Sequence, residues 1–202
     1  MFASALDWPG WCRAAKNEQL ALEALAAYAD RYAGVAKAAG FPFPKSPDLT
    51  VTERLPGDAT TDFGAPSAAA KIESQSLSKS EVERMCALVA GCWAAFDRIA
   101  KSAPAELRKG PRGGGRDRDK IVDHVFGAEC GYAPKLGLKL AEPARGDRAA
   151  ISAHRAVLLD AFHKGADGKP MRERGWTARY AARRIAWHAM DHAWEIEDRT
   201  DR

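Results

Sequence analysis

The sequence lacks a long apolar run, and nowhere does it approach the roughly 18 consecutive apolar residues that span a bilayer. Its first residues, Met1 to Asp7, contain neither the basic region nor the long apolar segment of a secretory signal peptide. Apolar residues make up 46% of the chain and charged residues 29%, proportions typical of a globular protein with a real core. We therefore expect a cytoplasmic protein without a membrane partner.

The sequence also lacks closely spaced pairs of cysteines. The four cysteines are widely spaced and form no Cys-x-x-Cys motif: Cys12, Cys86, Cys92 and Cys130. In a reducing compartment such cysteines stay as free thiols, and we expect most of them to be buried as small apolar groups.

Dense basic charge and the common catalytic motifs are absent too. The net charge is only +4, with a pI near 8.9, whereas nucleic-acid-binding domains usually carry a basic stripe and a higher pI. The chain has no Gly-x-Ser-x-Gly motif, and its glycine-rich loop does not match the phosphate-binding pattern Gly-x-x-x-x-Gly-Lys-Ser/Thr. These absences argue against a nucleic-acid partner, a serine hydrolase and a phosphate-binding loop.

The first third of the chain alternates between strand-like and helix-like segments. We predict strands at residues 2–6 and 11–15 around the turn Asp7-Trp8-Pro9-Gly10, then a helix from the N-cap Asn17 to Gly40. A third strand is predicted at residues 49–55, where β-branched residues alternate. The sequence thus predicts a small α/β domain over residues 1–66 and a Ser/Ala/Lys-rich linker over residues 67–79.

The remainder, residues 80–202, has the periodicity of four amphipathic helices. Ser80 is predicted to cap the first, with Glu83 completing a capping box, and Asp117 to cap the second at residues 118–132. The third spans residues 148–163, with apolar residues such as Val157, Leu158 and Phe162 facing inward. The fourth follows the N-cap Thr177. We therefore predict an α+β protein whose second domain is a four-helix bundle.

Three histidines are predicted to face the inside of that bundle. His188 and His192 are four residues apart on the fourth helix, so both imidazoles leave the same face about one turn apart. His124 shares a face of the second helix with apolar residues. Three neutral imidazoles would form an open metal site for Zn²⁺, Ni²⁺, Cu²⁺ or Fe²⁺. The alternative is that they are ordinary core or interface histidines, as we expect for His154 and His163.

Two further groups of residues are predicted to support this site. Asp123 and Asp191 each precede a proposed ligand and could hold an imidazole N–H, or serve a neighbouring ligand, or face solvent. Four basic residues lie in the loop between the first two helices: Arg108, Lys109, Arg112 and Arg116. They could attract an anionic substrate or the carboxylates of a cofactor; otherwise this loop is a solvated connector.

Residues 80–200 resemble the DinB-like family, also called YfiT-like metal-binding bundles. The resemblance rests on Asp119-Lys-Ile-Val-Asp-His-Val-Phe-Gly-Ala-Glu129 and on Trp187-His-Ala-Met-Asp-His-Ala-Trp-Glu195. It implies an open divalent metal site and, in members with known activity, thiol-dependent transferase or isomerase chemistry. The implied cofactors are a divalent metal and a low-molecular-weight thiol, and the implied partner is a small-molecule substrate.

The N-terminal order of strand, Asp-x-Pro-Gly turn, strand, helix and strand resembles the small HicB-like α/β fold. A strand that precedes these in that fold is missing here, so either the sheet is smaller or the native start lies upstream of Met1. This resemblance leaves a second function class open. The protein could be a non-catalytic module that binds a ligand, a protein partner or a second copy of itself as a homodimer.

Overall fold

The chain begins with a β-hairpin. In the computed structural model, which describes residues 1–110 and 114–200, strand β1 (Phe2–Ser4) pairs antiparallel with β2 (Cys12–Ala14), with Phe2 opposite Ala14. Gly10 in the connecting turn has a φ of +95°, a conformation that favours glycine. The Tyr32 hydroxyl donates a 2.7 Å hydrogen bond to the Pro9 carbonyl, which ties the turn to the following helices. The two predicted strands are confirmed.

The predicted helix after the hairpin is divided in two. Asn17 caps α1 (Glu18–Ala27), accepting a hydrogen bond from the backbone N–H of Leu20 at 2.9 Å. Tyr28, with φ −93° and ψ 4°, interrupts the helical path before α2 (Ala29–Ala38) begins. The N-cap was therefore predicted correctly and the interruption was not.

The third predicted strand, at residues 49–55, was wrong. These residues form no strand in the structure, and two of the alternating apolar side chains, Val51 and Leu55, are exposed. An alternating sequence becomes a strand only when a neighbouring edge accepts its hydrogen bonds and one of its faces is buried. In the described part of the chain the sheet consists of β1 and β2 alone. After α2 the chain forms a short helix, α3 (Ala59–Asp62), and a 3-10 turn at Lys71–Ser74.

Four longer helices follow: α4 (Lys79–Ser102), α5 (Arg118–Tyr132), α6 (Arg148–Lys164) and α7 (Ala178–Arg199). The cap of α4 is Ser78 with Glu81, not Ser80 with Glu83. Both pairs have the spacing of a capping box, and the chain turns at the earlier one. Thr177 caps α7 and Asp147 caps α6, whereas Asp117 precedes α5 without a side-chain capping bond.

Helix α7 is the central element of the structure. Every residue from Tyr180 to Met190 is buried, and the helix packs against α4, α5 and α6. Its many alanines allow this close approach on all sides. On α6, Leu158 and Phe162 face inward as predicted, but the prediction for Val157 was wrong, since its side chain is 38% exposed.

The molecule is mainly helical with one small two-stranded sheet among the described residues, which is compatible with an α+β class. One hydrophobic cluster includes Trp11 and Tyr32 from the N-terminal part together with Phe96 and Trp194 from the long helices. The division into two domains and a linker stays a prediction. Within the described ranges, no helix has the length and apolar character needed to cross a membrane.

Candidate metal centre

The three predicted histidines converge between α5 and α7. One ring nitrogen from each of His124, His188 and His192 can be chosen so that all three lie within 4.8 Å of one another. The Nε2 atoms of His124 and His188 are 3.3 Å apart. The three imidazoles therefore lie close enough to hold one metal ion.

Helix packing explains this convergence. His188 and His192 are one turn apart on α7, and their ring centroids are 4.6 Å apart. On α5, Ile121 and Val125 are completely buried, and they flank His124 in sequence. Packing of that apolar face onto α7 brings the His124 ring to within 5.0 Å of both other rings.

The surroundings of the cluster favour the neutral form of His124 and His188. Burial, followed by the neighbouring His192 and His124, holds the pKa of His188 well below its usual value. Burial and the nearby His192 also lower the pKa of His124. Neutral imidazoles have free lone pairs, which is the state that coordinates a metal.

A carboxylate that sequence reasoning missed supports the cluster. Glu195 Oε2 lies 2.7 Å from His192 Nδ1, and Glu195 Oε1 accepts a 2.7 Å hydrogen bond from Arg199 Nη1. The hydrogen bond with His192 lowers the pKa of Glu195. With Nδ1 held in this way, His192 has Nε2 left for the cluster, as in metal sites whose histidines are oriented by a carboxylate. The His-x-x-Glu spacing on one helix was the available signal.

Asp123 and Asp191, the carboxylates proposed from the sequence, lie elsewhere. Asp191 accepts a 3.2 Å hydrogen bond from Arg13 of β2, and Asp123 accepts one of 3.2 Å from Arg145. Adjacent residues on a helix point about 100° apart, so a residue next to a ligand faces away from that ligand's metal. Of the three alternatives left open for these aspartates, contact with an imidazole N–H is not seen among the described hydrogen bonds, where Glu195 makes that contact with His192.

The basic loop reaches the edge of the cluster. Arg108 and Lys109 line a surface cavity together with Glu195 and Arg199, so the cavity borders the carboxylate that holds His192. Arg108 donates to the Asp198 carbonyl at 2.7 Å, and Lys109 forms an ion pair with Asp117. Arg116 is exposed, and Arg112 lies outside the described residues. Ligand binding by these residues stays a prediction.

The other two histidines are separate from this cluster. His154 is buried, with Nε2 3.4 Å from Glu129 Oε2, and Glu129 accepts a hydrogen bond from Trp93 Nε1 at 2.7 Å. His163 is exposed in the last turn of α6. Their positions agree with the expectation that neither is a ligand of the proposed site.

Aromatic rings form one wall beside the cluster. The ring centroids of Tyr132 and Trp187 lie 6.1 and 5.7 Å from that of His188. Trp176 packs against Tyr132 at 5.2 Å between centroids. Tyr132 and Trp176 are half-buried, so this wall is partly open to solvent. The site combines a polar metal-ligand set with an apolar, aromatic side.

Comparisons of the chain with protein-family models, with curated proteins and with solved structures found no match.

Proposed function

We propose that this chain is a divalent-metal-binding protein of the DinB-like type, with residues 80–202 forming its four-helix bundle. We further propose that it is a thiol-dependent transferase or isomerase acting on a small molecule. The observation that supports this most directly is the approach of His124, His188 and His192 to within 4.8 Å of one another. The two motifs of the family resemblance contain these same three residues.

One pair of ring nitrogens has the separation expected for two ligands of a metal such as zinc. Zinc–imidazole bonds of about 2.0–2.1 Å in a tetrahedron place two ligand nitrogens about 3.3–3.4 Å apart. The 3.3 Å between the Nε2 atoms of His124 and His188 has this value. Three imidazoles, one of them held by Glu195, are the donor set of an open site that leaves a position for an exogenous group.

The bound metal would lower the pKa of a thiol or water at the open position, producing a nucleophile near neutral pH. The protein's own residues would provide the rest of the site. Glu195 fixes the orientation of His192, and the rings of Tyr132 and Trp187 provide an apolar side. Arg108 and Lys109 present positive charge at the opening beside Glu195.

Metal titration of purified protein tests the first part of this proposal. We expect one equivalent of Zn²⁺, Ni²⁺ or Fe²⁺ to bind to the wild type. His124→Ala, His188→Ala and His192→Ala should each weaken binding by more than about 100-fold, since even partners that only orient a ligand account for 10- to 100-fold. His163→Ala, which removes an exposed histidine, is the matched control and should bind as the wild type does. Equal losses in all four variants would indicate nonspecific chelation and contradict the proposal.

A screen of low-molecular-weight thiols with electrophilic acceptors tests the second part. We expect turnover in the metal-loaded wild type and none in His188→Ala. Metal binding without thiol-dependent turnover would contradict the transferase or isomerase function and favour the non-catalytic binding module.

A further inference from the structure

Helix α7 carries two adjacent buried arginines whose surroundings differ. Arg183 pairs with the buried Glu73, its Nε and Nη2 atoms donating at 2.5 and 2.9 Å to the two carboxylate oxygens. Arg184 is 4% exposed, yet its Nε and Nη1 atoms have no hydrogen-bond partner. In the described ranges, no carboxylate lies within 4.0 Å of it, whereas Arg13, Arg31 and Arg155 all have such partners.

Three aromatic rings surround the Arg184 guanidinium instead. Its Cζ atom is 5.1 Å from the ring of Trp187, 5.6 Å from that of Tyr132 and 5.9 Å from that of Trp176. Cation–π contacts of this kind attract the guanidinium to the rings but leave its Nε and Nη1 atoms without acceptors. A buried charge with unused donors is costly unless a counter-charge completes it.

The same aromatic wall connects Arg184 to the metal centre. Arg184 precedes His188 by four residues, so the two side chains leave α7 on one face about one turn apart. Tyr132 and Trp187, which contact the guanidinium, also lie within 6.1 Å of the His188 ring. A small molecule with one end at the metal would therefore have its other end near Arg184.

We propose that Arg184 binds the carboxylate of the small molecule that the metal site accepts. This inference rests on the proposed function for the metal-binding end of that molecule. A planar guanidinium pairs with a planar carboxylate through two parallel hydrogen bonds, and its single positive charge matches a single negative charge. The rings of Tyr132, Trp176 and Trp187 strengthen that pairing because an apolar surrounding lowers the local dielectric constant. The substrate or thiol cofactor is thus a carboxylic acid.

Spectroscopic titration of the Co²⁺-loaded protein tests this assignment. A thiol that binds Co²⁺ produces a thiolate charge-transfer band, so its dissociation constant can be measured without turnover. The probes are mercaptoacetate and 3-mercaptopropionate, and the matched uncharged probe is 2-mercaptoethanol. We expect the wild type to prefer the carboxylate thiols by at least about tenfold, the value of one charge-assisted hydrogen-bond pair.

The variants separate a ligand-binding role from a structural one. Arg184→Met should lose the preference for carboxylate thiols while keeping its affinity for 2-mercaptoethanol. Arg179→Met, which removes one charge from the same helix at a residue 3.7 Å from Glu81, should keep the preference. Without ligand, Arg184→Met should be as stable as the wild type or more so, because it removes an unpaired buried charge. A preference that survives in Arg184→Met, or a strong loss of its stability, would overturn the inference.

A metal-independent measurement keeps this test separate from the proposed function. Propionate should raise the Tm of metal-free wild type more than that of Arg184→Met, because only a folded protein with the intact site binds it. If Co²⁺ fails to bind but propionate shows this difference, the metal proposal fails and the carboxylate site stands. Equal shifts in the two proteins would overturn the carboxylate site.

Discussion

Glu195 determines how His192 is presented to the cluster. It holds His192 Nδ1 at 2.7 Å and is itself held by Arg199. Asp191 is adjacent to the same histidine in sequence, but its carboxylate pairs with Arg13. The carboxylate that contacts His192 is therefore the one three residues away on the helix, and the carboxylate next to it in sequence makes a different contact.

Glu195→Gln should weaken metal binding by about 10- to 100-fold, since the amide is a poorer acceptor for an imidazole N–H. The variant keeps the size of the side chain, so the unfolding temperature should change little. Isothermal titration with Zn²⁺ measures the effect, and Asp191→Asn is the matched control. A larger loss in Asp191→Asn than in Glu195→Gln would contradict the role given to Glu195.

The cysteines of the chain are poor nucleophiles at neutral pH. Burial raises the pKa of Cys12 to about 11 and that of Cys86 to about 11, and it raises the pKa of Cys92 as well. Because the thiolate is the reactive form and no cysteine belongs to the cluster of His124, His188 and His192, we expect the thiol in the proposed reaction to come from outside the chain.

Alkylation with iodoacetamide at pH 8 should therefore label Cys130, which is only partly buried, before the other three. A thiol with a pKa near 11 is ionised in only about one molecule in a thousand at pH 8. Raising the pH should increase the labelling rate of Cys12 and Cys86, since their thiolate fraction grows with pH up to the pKa. Mass spectrometry of the labelled peptides measures the order. Early labelling of Cys12 would contradict the burial described here.

At the scale of the elements, local signals were predictive in most places, although Ser80 was the wrong cap for α4 and Asp117 makes no side-chain capping bond at α5. The bounds of α5 matched residues 118–132, and the caps Asn17 and Thr177 were correct. A helix cap depends on a side chain and a backbone N–H three residues apart, so the sequence alone carries the signal for it. The strand at residues 49–55 depended on a distant partner edge, and that information is not local.

The ion-pair partners of buried charged residues could not be predicted from the sequence either. Glu73 lay in a segment predicted to be a linker, yet it is 1% exposed and pairs with Arg183 of α7, 110 residues away. The orientation of Asp191 towards Arg13 likewise depends on where β2 packs. The histidine positions were predictable because two of them share a helix and the third lies on an apolar face.

Glu73→Gln should destabilise the fold by about 3–5 kcal/mol, because it leaves the buried guanidinium of Arg183 without its counter-charge. Urea-induced unfolding followed by circular dichroism measures this change. Glu83→Gln, which removes an exposed carboxylate 3.9 Å from Lys79, is the control and should change stability by less than about 1 kcal/mol. Similar stabilities for Glu73→Gln and the wild type would contradict the importance of this pair.

At the scale of the whole molecule, the hairpin and the long helices share one hydrophobic cluster around α7. One face of this helix presents His188 and His192 to α5, while Arg183 and Asp191 bind residues from other parts of the chain. Residues of the proposed metal site and residues with structural contacts thus alternate along a single helix. The histidine cluster depends on the same packing that stabilises the fold.

X-ray absorption spectroscopy of the zinc-loaded protein tests the central claim most directly, because it counts the imidazoles bound to the metal. We predict one zinc per chain with three imidazole nitrogens at about 2.0–2.1 Å and an exchangeable water in the remaining position. His124→Ala should remove one imidazole from the spectrum, whereas His163→Ala should leave it unchanged. A zinc bound by one imidazole or none, or no stoichiometric zinc at all, would contradict the account.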